Sequence, residues 1–243
     1  MAERSLAKHL WYEYLHVTCR LAAVALLRVR CTGRENQVPA GGALVLSNHQ
    51  SLFDPVLVGI SLDRRLNFLA RDTLFKSVPF RWLIQSLDAI PLDREGLGLA
   101  GLKETLRRLK RGEMVLIFPE GTRTSDGEVK RLKPGFSVLA SRTNVPILPI
   151  GIDGAYDAWP RTQRLPGLAT IHVHIGTPIP PEVARQTDER QLVAEVERRI
   201  RHCHDVARRS RLRALGQSPA EPLAVPFTAP PGLAVSHSEL KAI

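Results

Sequence analysis

The stretch Asn48-His49-Gln50-Ser51-Leu52-Phe53-Asp54 sets a histidine and a carboxylate five residues apart, between the apolar run Ala43-Leu44-Val45-Leu46 and Pro55-Val56-Leu57-Val58. A histidine near its free pKa of about 6.5 can take a proton from a hydroxyl at neutral pH, and a neighbouring carboxylate can fix its tautomer and stabilise the imidazolium. This is the base half of a hydroxyl-activating site. Five residues of continuous helix turn through about 500°, so the two side chains meet only if the chain between them is not yet helical. Asp54 with Pro55 reads as an N-cap and first helical residue, and Ser51 with Asp54 reads as a capping box one turn earlier; the sequence allows either. On spacing alone, a polar turn histidine beside an inert capping aspartate is the plain alternative.

The elements that must position this pair follow from periodicity and punctuation. Strands are expected at Ala43–Leu46, Leu66–Ala70, Ala89–Leu92, Met114–Phe118, Val145–Ile150 and Ala169–Ile175. Helices are expected over Pro55–Leu62, in pieces between Arg71 and Ser86 broken at Pro79, and over Gly98–Lys110, Lys130–Arg142 and Thr187–Arg213. In the last of these, Leu192, Val196, Ile200 and Val206 form the packing stripe. Strands alternating with helices define an α/β fold with a mixed, largely parallel sheet flanked by helices. Pro146 and Pro149 mark Val145–Ile150 as an edge or irregular strand.

In open α/β sheets ligands sit beyond the carboxyl ends of strands. Arg94 follows one strand there, and the loop Pro119-Glu120-Gly121-Thr122-Arg123 follows another. Two guanidinium forks at such positions can hold a phosphomonoester bidentately.

Residues 1–32 read as an amphipathic N-terminal helix, residues 33–213 as the catalytic domain and residues 214–243 as a proline-rich tail without periodicity. Apolar residues at Leu6, Leu10, Tyr14, Val17, Leu21, Val24 and Leu27 make one greasy helical face, punctuated by Lys8, Arg20, Arg28 and Arg30. The uncharged run Leu21–Leu27 is far short of the roughly 20 residues a membrane span needs. The helix is expected either to lie in an anionic interface or to pack on the domain.

The 243-residue chain carries a formal charge of +10 and only 5% aromatic residues, with a pI near 10.1. That favours anionic partners, while the lack of zinc-finger spacing or an aromatic RNA-binding signature argues against nucleic acid. Three widely spaced cysteines, Cys19, Cys31 and Cys203, and the pairs His172/His174 and His202/His204 show no metal-ligand pattern, so no metal site is expected.

With these pieces assembled, the chain resembles the 1-acylglycerol-3-phosphate acyltransferases of the glycerolipid acyltransferase family. Four blocks carry the resemblance in order: Asn48-His49 through Asp54, Ile90-Pro91-Leu92-Asp93-Arg94, Phe118-Pro119-Glu120-Gly121-Thr122-Arg123, and Val145-Pro146-Ile147-Leu148-Pro149. The resemblance implies transfer of a fatty acyl group from acyl-CoA or acyl carrier protein, as co-substrate and without further cofactor, to the sn-2 hydroxyl of 1-acylglycerol-3-phosphate. His49 would be the general base and Asp54 its orienting partner. Arg94 and Arg123 would hold the acceptor phosphate in a substrate-binding loop shaped by Glu120, Gly121 and Thr122, with Lys133 and Gly135 nearby. The expected partners are a lysophospholipid, the thioester donor and an anionic membrane surface, with the protein peripheral or monotopic on the cytoplasmic face. Another lysolipid or lipid hydroxyl as acceptor, a hydrolase using the same pair on water, and a non-catalytic lipid-binding protein are the competing readings.

Overall fold

The computed structural model describes residues 6–71, 90–92 and 99–218. Helix α1 spans Leu6–Leu27. Strand β1 (Arg30–Thr32), strand β2 (Ala43–Ser47), helix α2 (Asp54–Ser61), strand β3 (Leu66–Arg71) and strand β4 (Ile90–Leu92) follow. Then come α3 (Leu99–Lys110), β5 (Met114–Ile117), α4 (Ser137–Arg142), β6 (Ile147–Asp153), α5 (Ala155–Ala158), β7 (His172–Ile175), α6 (Pro181–Gln186) and α7 (Glu189–Ala214). Arg94, the expected helical pieces of residues 72–86 and the tail beyond residue 218 lie outside the described residues.

The strands form one sheet in the order β1-β7-β6-β2-β5-β3-β4. All neighbouring pairs are parallel except β6 with β7. The central strands β2 and β5 are uniformly buried, as expected of strands covered on both faces. Alternation along β2 divides the core: Ala43 and Val45 join the cluster that includes Leu57, Val58 and Ala23. Leu44 and Leu46 join the one that includes Phe136, Leu139 and the first half of α7. The α7 stripe is Leu192, Val196, Ile200, Cys203 and Ala207, so Cys203 and Ala207 take the place expected for Val206. At that level Gly151 and Gly176 allow close approach: a Cβ on Gly151 would fall 2.1 Å from the His204 nitrogen, and one on Gly176 2.5 Å from Cys203 Sγ.

Four expectations need correction. The strand carrying Pro149 is not at an edge. β6 lies between β7 and β2, with Pro149 opposite Leu46 in the β2 pairing. Its missing N–H falls one residue before the β7 pairing begins at Ile150↔Ile175, so the ladder loses little, and the Pro149 carbonyl still accepts from Gly176 N–H at 2.9 Å. The first helix stops at Leu27, where Arg28 adopts a φ of +44°, and the next residues form β1 instead of a last helical turn. The helix expected from Lys130 begins only at Pro134–Phe136, as a 3-10 turn leading into α4, because Lys130 and Lys133 are tied by backbone bonds to the loop after β5. Finally, β7 starts at His172, three residues later than Ala169.

The two sides of α1 differ in cover. Leu6, Leu10, Tyr14, Val17, Leu21 and Val24 are all more than half exposed, whereas Tyr12, Ala23 and Leu27 face the domain. All of the greasy stripe except Leu27 points outward, and the other side of the helix packs against α2.

Candidate active site

Leu46 pairs with Ile117 across β2 and β5, and with Pro149 across β2 and β6, all in parallel. The loops that leave these three strands therefore emerge at one end of the sheet. The chain winds from β2 to β3 and β4, returns to β5, then crosses to β6 on the other side of β2. Such a reversal point is where open sheets collect ligands.

His49 stands just past β2. Its Nδ1 lies 2.7 Å from Asp54 Oδ2. The same oxygen accepts the backbone N–H groups of Gln50 at 2.5 Å and Ser51 at 2.7 Å. Asp54 is fully buried, and this one oxygen gathers three contacts that hold the turn closed around it. Of the two capping schemes, the box is the closer. Asp54 reaches back to Ser51 N–H, Ser51 Oγ accepts from Phe53 N–H at 3.3 Å, and α2 begins at Asp54 with Pro55 in its first turn. With Nδ1 committed to the carboxylate, Nε2 is the ring atom left to exchange a proton with substrate. The ring stacks on Phe118 with centroids 4.1 Å apart and planes 14° from parallel, which fixes its plane.

The residues around His49 are held from β6 and α5. Asn48 exchanges two hydrogen bonds with the backbone of Ile152, at 2.9 and 2.8 Å. Gln50 Oε1 accepts from the N–H groups of Ala155 and Tyr156 at 3.1 and 3.2 Å, and its Nε2 donates to Gly127 carbonyl at 2.6 Å. Ser51 Oγ donates to the carbonyl of Trp159 at 3.1 Å. Beneath them Asp153 takes bonds from Arg208 and Arg211 and lies 3.3 Å from His204 Nε2. Burial pushes the Asp153 carboxyl up, but His204 and Arg211 outweigh it and hold the pKa at about 2. None of Asn48, Gln50, Ser51 and Trp159 was singled out as a site residue from the sequence. The signal available was a run of polar residues after a strand that is buried throughout.

Glu120 shapes its loop from inside. The sequence places it in the substrate-binding loop, yet it is only 3% exposed. Its two oxygens accept backbone N–H groups, Oε1 from His49 at 2.8 Å and Oε2 from Lys130 at 3.2 Å. It clamps the His49 turn instead of meeting solvent. Burial pushes its pKa up to about 7, against the pull of these two donors. The same loop also binds the other side of the histidine backbone, where Thr124 N–H donates to the His49 carbonyl at 2.8 Å.

The rest of the loop faces outward. Gly121 has a φ of +73°, and a Cβ there would come 3.0 Å from Lys133 Nζ, so the lysine side chain crosses over this turn. Thr122 and Arg123 are half-exposed, and Thr122 Oγ1 is 3.4 Å from Arg161 Nη1. The structure thus brings His49, Asp54, Glu120, Gly121, Thr122 and Lys133 to one end of the sheet, with Arg123 in the same loop. The N–H groups of His49, Gln50, Ser51, Phe53 and Asp54 are all engaged, so the turn itself offers few backbone donors to a developing oxyanion.

This arrangement, a buried carboxylate orienting a half-exposed histidine beside a basic loop, fits a class of enzymes that activate a hydroxyl for acyl transfer. Comparison with known proteins agrees. The family model described as Acyltransferase matches residues 28–153. The 1-acyl-sn-glycerol-3-phosphate acyltransferase of Pseudomonas aeruginosa is 33% identical over 193 residues, covering 74% of this chain and 71% of that protein. The enzyme of the same name from Bacillus subtilis is 31% identical over 127 residues, 52% of this chain and 63% of that protein. The crystal structure of the 1-acyl-sn-glycerophosphate (LPA) acyltransferase PlsC from Thermotoga maritima superposes with a TM-score of 0.74 at 28% identity, covering 86% of this chain and 84% of that one. The chain belongs to the acyltransferase family that contains the 1-acyl-sn-glycerol-3-phosphate acyltransferases.

Proposed function

We propose that this acyltransferase moves a fatty acyl group from a thioester, acyl-CoA or acyl carrier protein, to the sn-2 hydroxyl of 1-acylglycerol-3-phosphate, giving phosphatidic acid. The 2.7 Å contact between His49 Nδ1 and the buried Asp54 carries the reading, and the names of its relatives supply the acceptor. His49 Nε2 takes the hydroxyl proton as the oxygen attacks the thioester carbonyl. Asp54 stabilises the imidazolium that forms. The C–S bond then breaks, and the leaving thiolate recovers the proton from His49. No acyl-enzyme and no cofactor beyond the thioester is needed. Arg123, together with Arg94, holds the acceptor phosphate, while Glu120 acts one step removed, through the His49 backbone.

The protein works from one face of a membrane, the cytoplasmic one, without spanning it. Among the described residues no helix is long and apolar enough to cross a bilayer, and the outward stripe of α1 supports interfacial attachment.

The test is an assay of purified protein with a panel of lysolipids and both donor types, alongside His49→Ala. The variant should stay folded and lose acyl transfer. Near-normal turnover in folded His49→Ala protein would overturn the mechanism, and thioester consumption without any acceptor would favour the hydrolase.

A further inference from the structure

The segment between α5 and β7 carries the two most exposed large apolar side chains among the described residues, Leu165 at 79% and Leu168 at 81%. They lie in a stretch, Arg161–Leu168, that is exposed throughout, with Arg161 and Arg164 ahead of them. A soluble surface scatters single leucines but has no reason to raise two of them on one basic loop. Basic residues beside protruding leucines match an anionic bilayer interface, where aliphatic side chains enter the acyl boundary and guanidinium groups meet phosphates.

The loop is also tied to the C-terminal end of α1. Its far end is stitched to that helix, since Ile171 N–H donates to Leu27 carbonyl and Arg30 N–H donates to Ile171 carbonyl, each at 3.1 Å. Its near end is stitched to the catalytic turn. Trp159 accepts from Ser51 Oγ and packs against Phe53 with ring centroids 5.0 Å apart. Trp159 Nε1 donates to Gln163 carbonyl at 3.1 Å, and Gly167 N–H donates to Ala158 carbonyl at 2.7 Å, which shapes the loop from within. Arg161 reaches Thr122 in the acceptor loop. Between these anchors Leu52 and Val56 of the catalytic turn and α2 are themselves 37% and 40% exposed.

We infer that residues 161–168 form a second membrane-docking element, which enters the lipid interface beside His49 and brings the rim of the site to the bilayer from which an amphipathic acceptor comes. The inference rests on the membrane-bound acyltransferase proposed above. α1 supplies the first attachment. The loop supplies the orientation, because a second contact, anchored beside His49 through Trp159, limits how the domain can turn about α1.

The test uses the full chain with Leu165→Ser and Leu168→Ser together, and Leu165→Trp with Leu168→Trp as the apolar control. Binding is read by co-sedimentation with phosphatidylcholine vesicles containing phosphatidylglycerol. Transfer is read twice, to acceptor embedded in those vesicles and to a short-chain, monomeric lysophosphatidate. The serine pair should lower vesicle binding by on the order of tenfold and lower transfer to embedded acceptor with it. Transfer to the monomeric acceptor should be unchanged, and the tryptophan pair should bind as the parent does. Unchanged vesicle binding by the serine pair, or equal loss of transfer to monomeric and embedded acceptor, overturns the inference. Selective loss with acyl carrier protein as donor would instead assign the loop to a protein partner and overturn it too. If the parent protein transfers to neither acceptor, the proposed function fails, whatever the loop does.

Discussion

Replacement of Glu120 by Gln tests the clamp on the His49 turn. The parent carboxylate accepts one backbone N–H on each oxygen. A glutamine can accept with only one, and its amide NH2 must face the other donor, leaving a buried N–H unpaired at a cost of about 1–3 kcal/mol. Against this, the parent keeps a buried charge. A rise in pKa from 4.5 to about 7 corresponds to roughly 3 kcal/mol of differential stability. The sign follows from proton counts. Between pH 4.5 and 7 the folded state holds this proton and the unfolded chain does not, so the group's contribution to stability declines as pH rises through that window and is constant above it. The Gln variant, a neutral stand-in for the protonated carboxyl, should therefore lack this part of the pH slope in urea unfolding, match the parent near pH 4.5 and be the more stable of the two above pH 7. Activity should run the other way, because the charged carboxylate is the better acceptor for His49 N–H. The kcat of the parent should fall as pH drops below about 7. The Gln variant should lose about 10- to 100-fold in kcat, or roughly 1.4–2.7 kcal/mol of barrier, with the acceptor KM little changed. A raised acceptor KM with kcat intact would refute the reasoning, since it would mean that Glu120 meets the substrate.

Asp54→Ala should abolish transfer nearly as fully as loss of His49 and also cost about 1 kcal/mol or more of stability, because Gln50 and Ser51 N–H lose their acceptor; thermal melts beside steady-state kinetics check both. Arg123→Ala and Arg94→Ala should each raise the KM for lysophosphatidate more than for the thioester donor, and equal weakening of both substrates would mark a structural role. High salt should release much of the protein from anionic vesicles, since it screens the basic residues but not the α1 stripe; salt-insensitive binding in a sedimentation series would count against that balance. His172 is buried, with neither ring nitrogen paired, and burial lowers its pKa below the usual 6.5. The unfolded chain takes up a proton that the folded one refuses, so stability is lost as pH falls below about 6.5, and His172→Phe should flatten that decline in acid unfolding curves.

What the sequence made legible was whatever leaves a local mark. The unbroken apolar runs of β2 and β5 announce strands covered on both sides, and the five-residue spacing of His49 and Asp54 requires the turn that the structure supplies. Features that depend on a partner far along the chain left no such mark. Glu120, next to a glycine after a strand, reads as a residue of a substrate-binding loop, because nothing local says that two backbone N–H groups bond to its carboxylate. The prolines of β6 argue for an edge, but whether a missing N–H matters depends on which neighbour it faces and where that pairing begins. Periodicity finds the stripe of α1 without telling what the stripe meets. β1, with only Arg30, Cys31 and Thr32, is too short and too polar to be seen without β7 beside it.

The fastening of the catalytic turn to β6 and α5 sets an order in time. Asn48, Gln50 and Ser51 find their partners at Ile152, Ala155, Tyr156 and Trp159, more than a hundred residues downstream. During synthesis the histidine and aspartate leave the ribosome early and wait, with the polar groups around them unmatched, until residues 147–159 have emerged and docked. Two-thirds of the chain can be made before there is a site at all. A product that ends before residue 147 would carry the whole signature stretch without the backbone groups of Ile152, Ala155, Tyr156 and Trp159 that hold it in place.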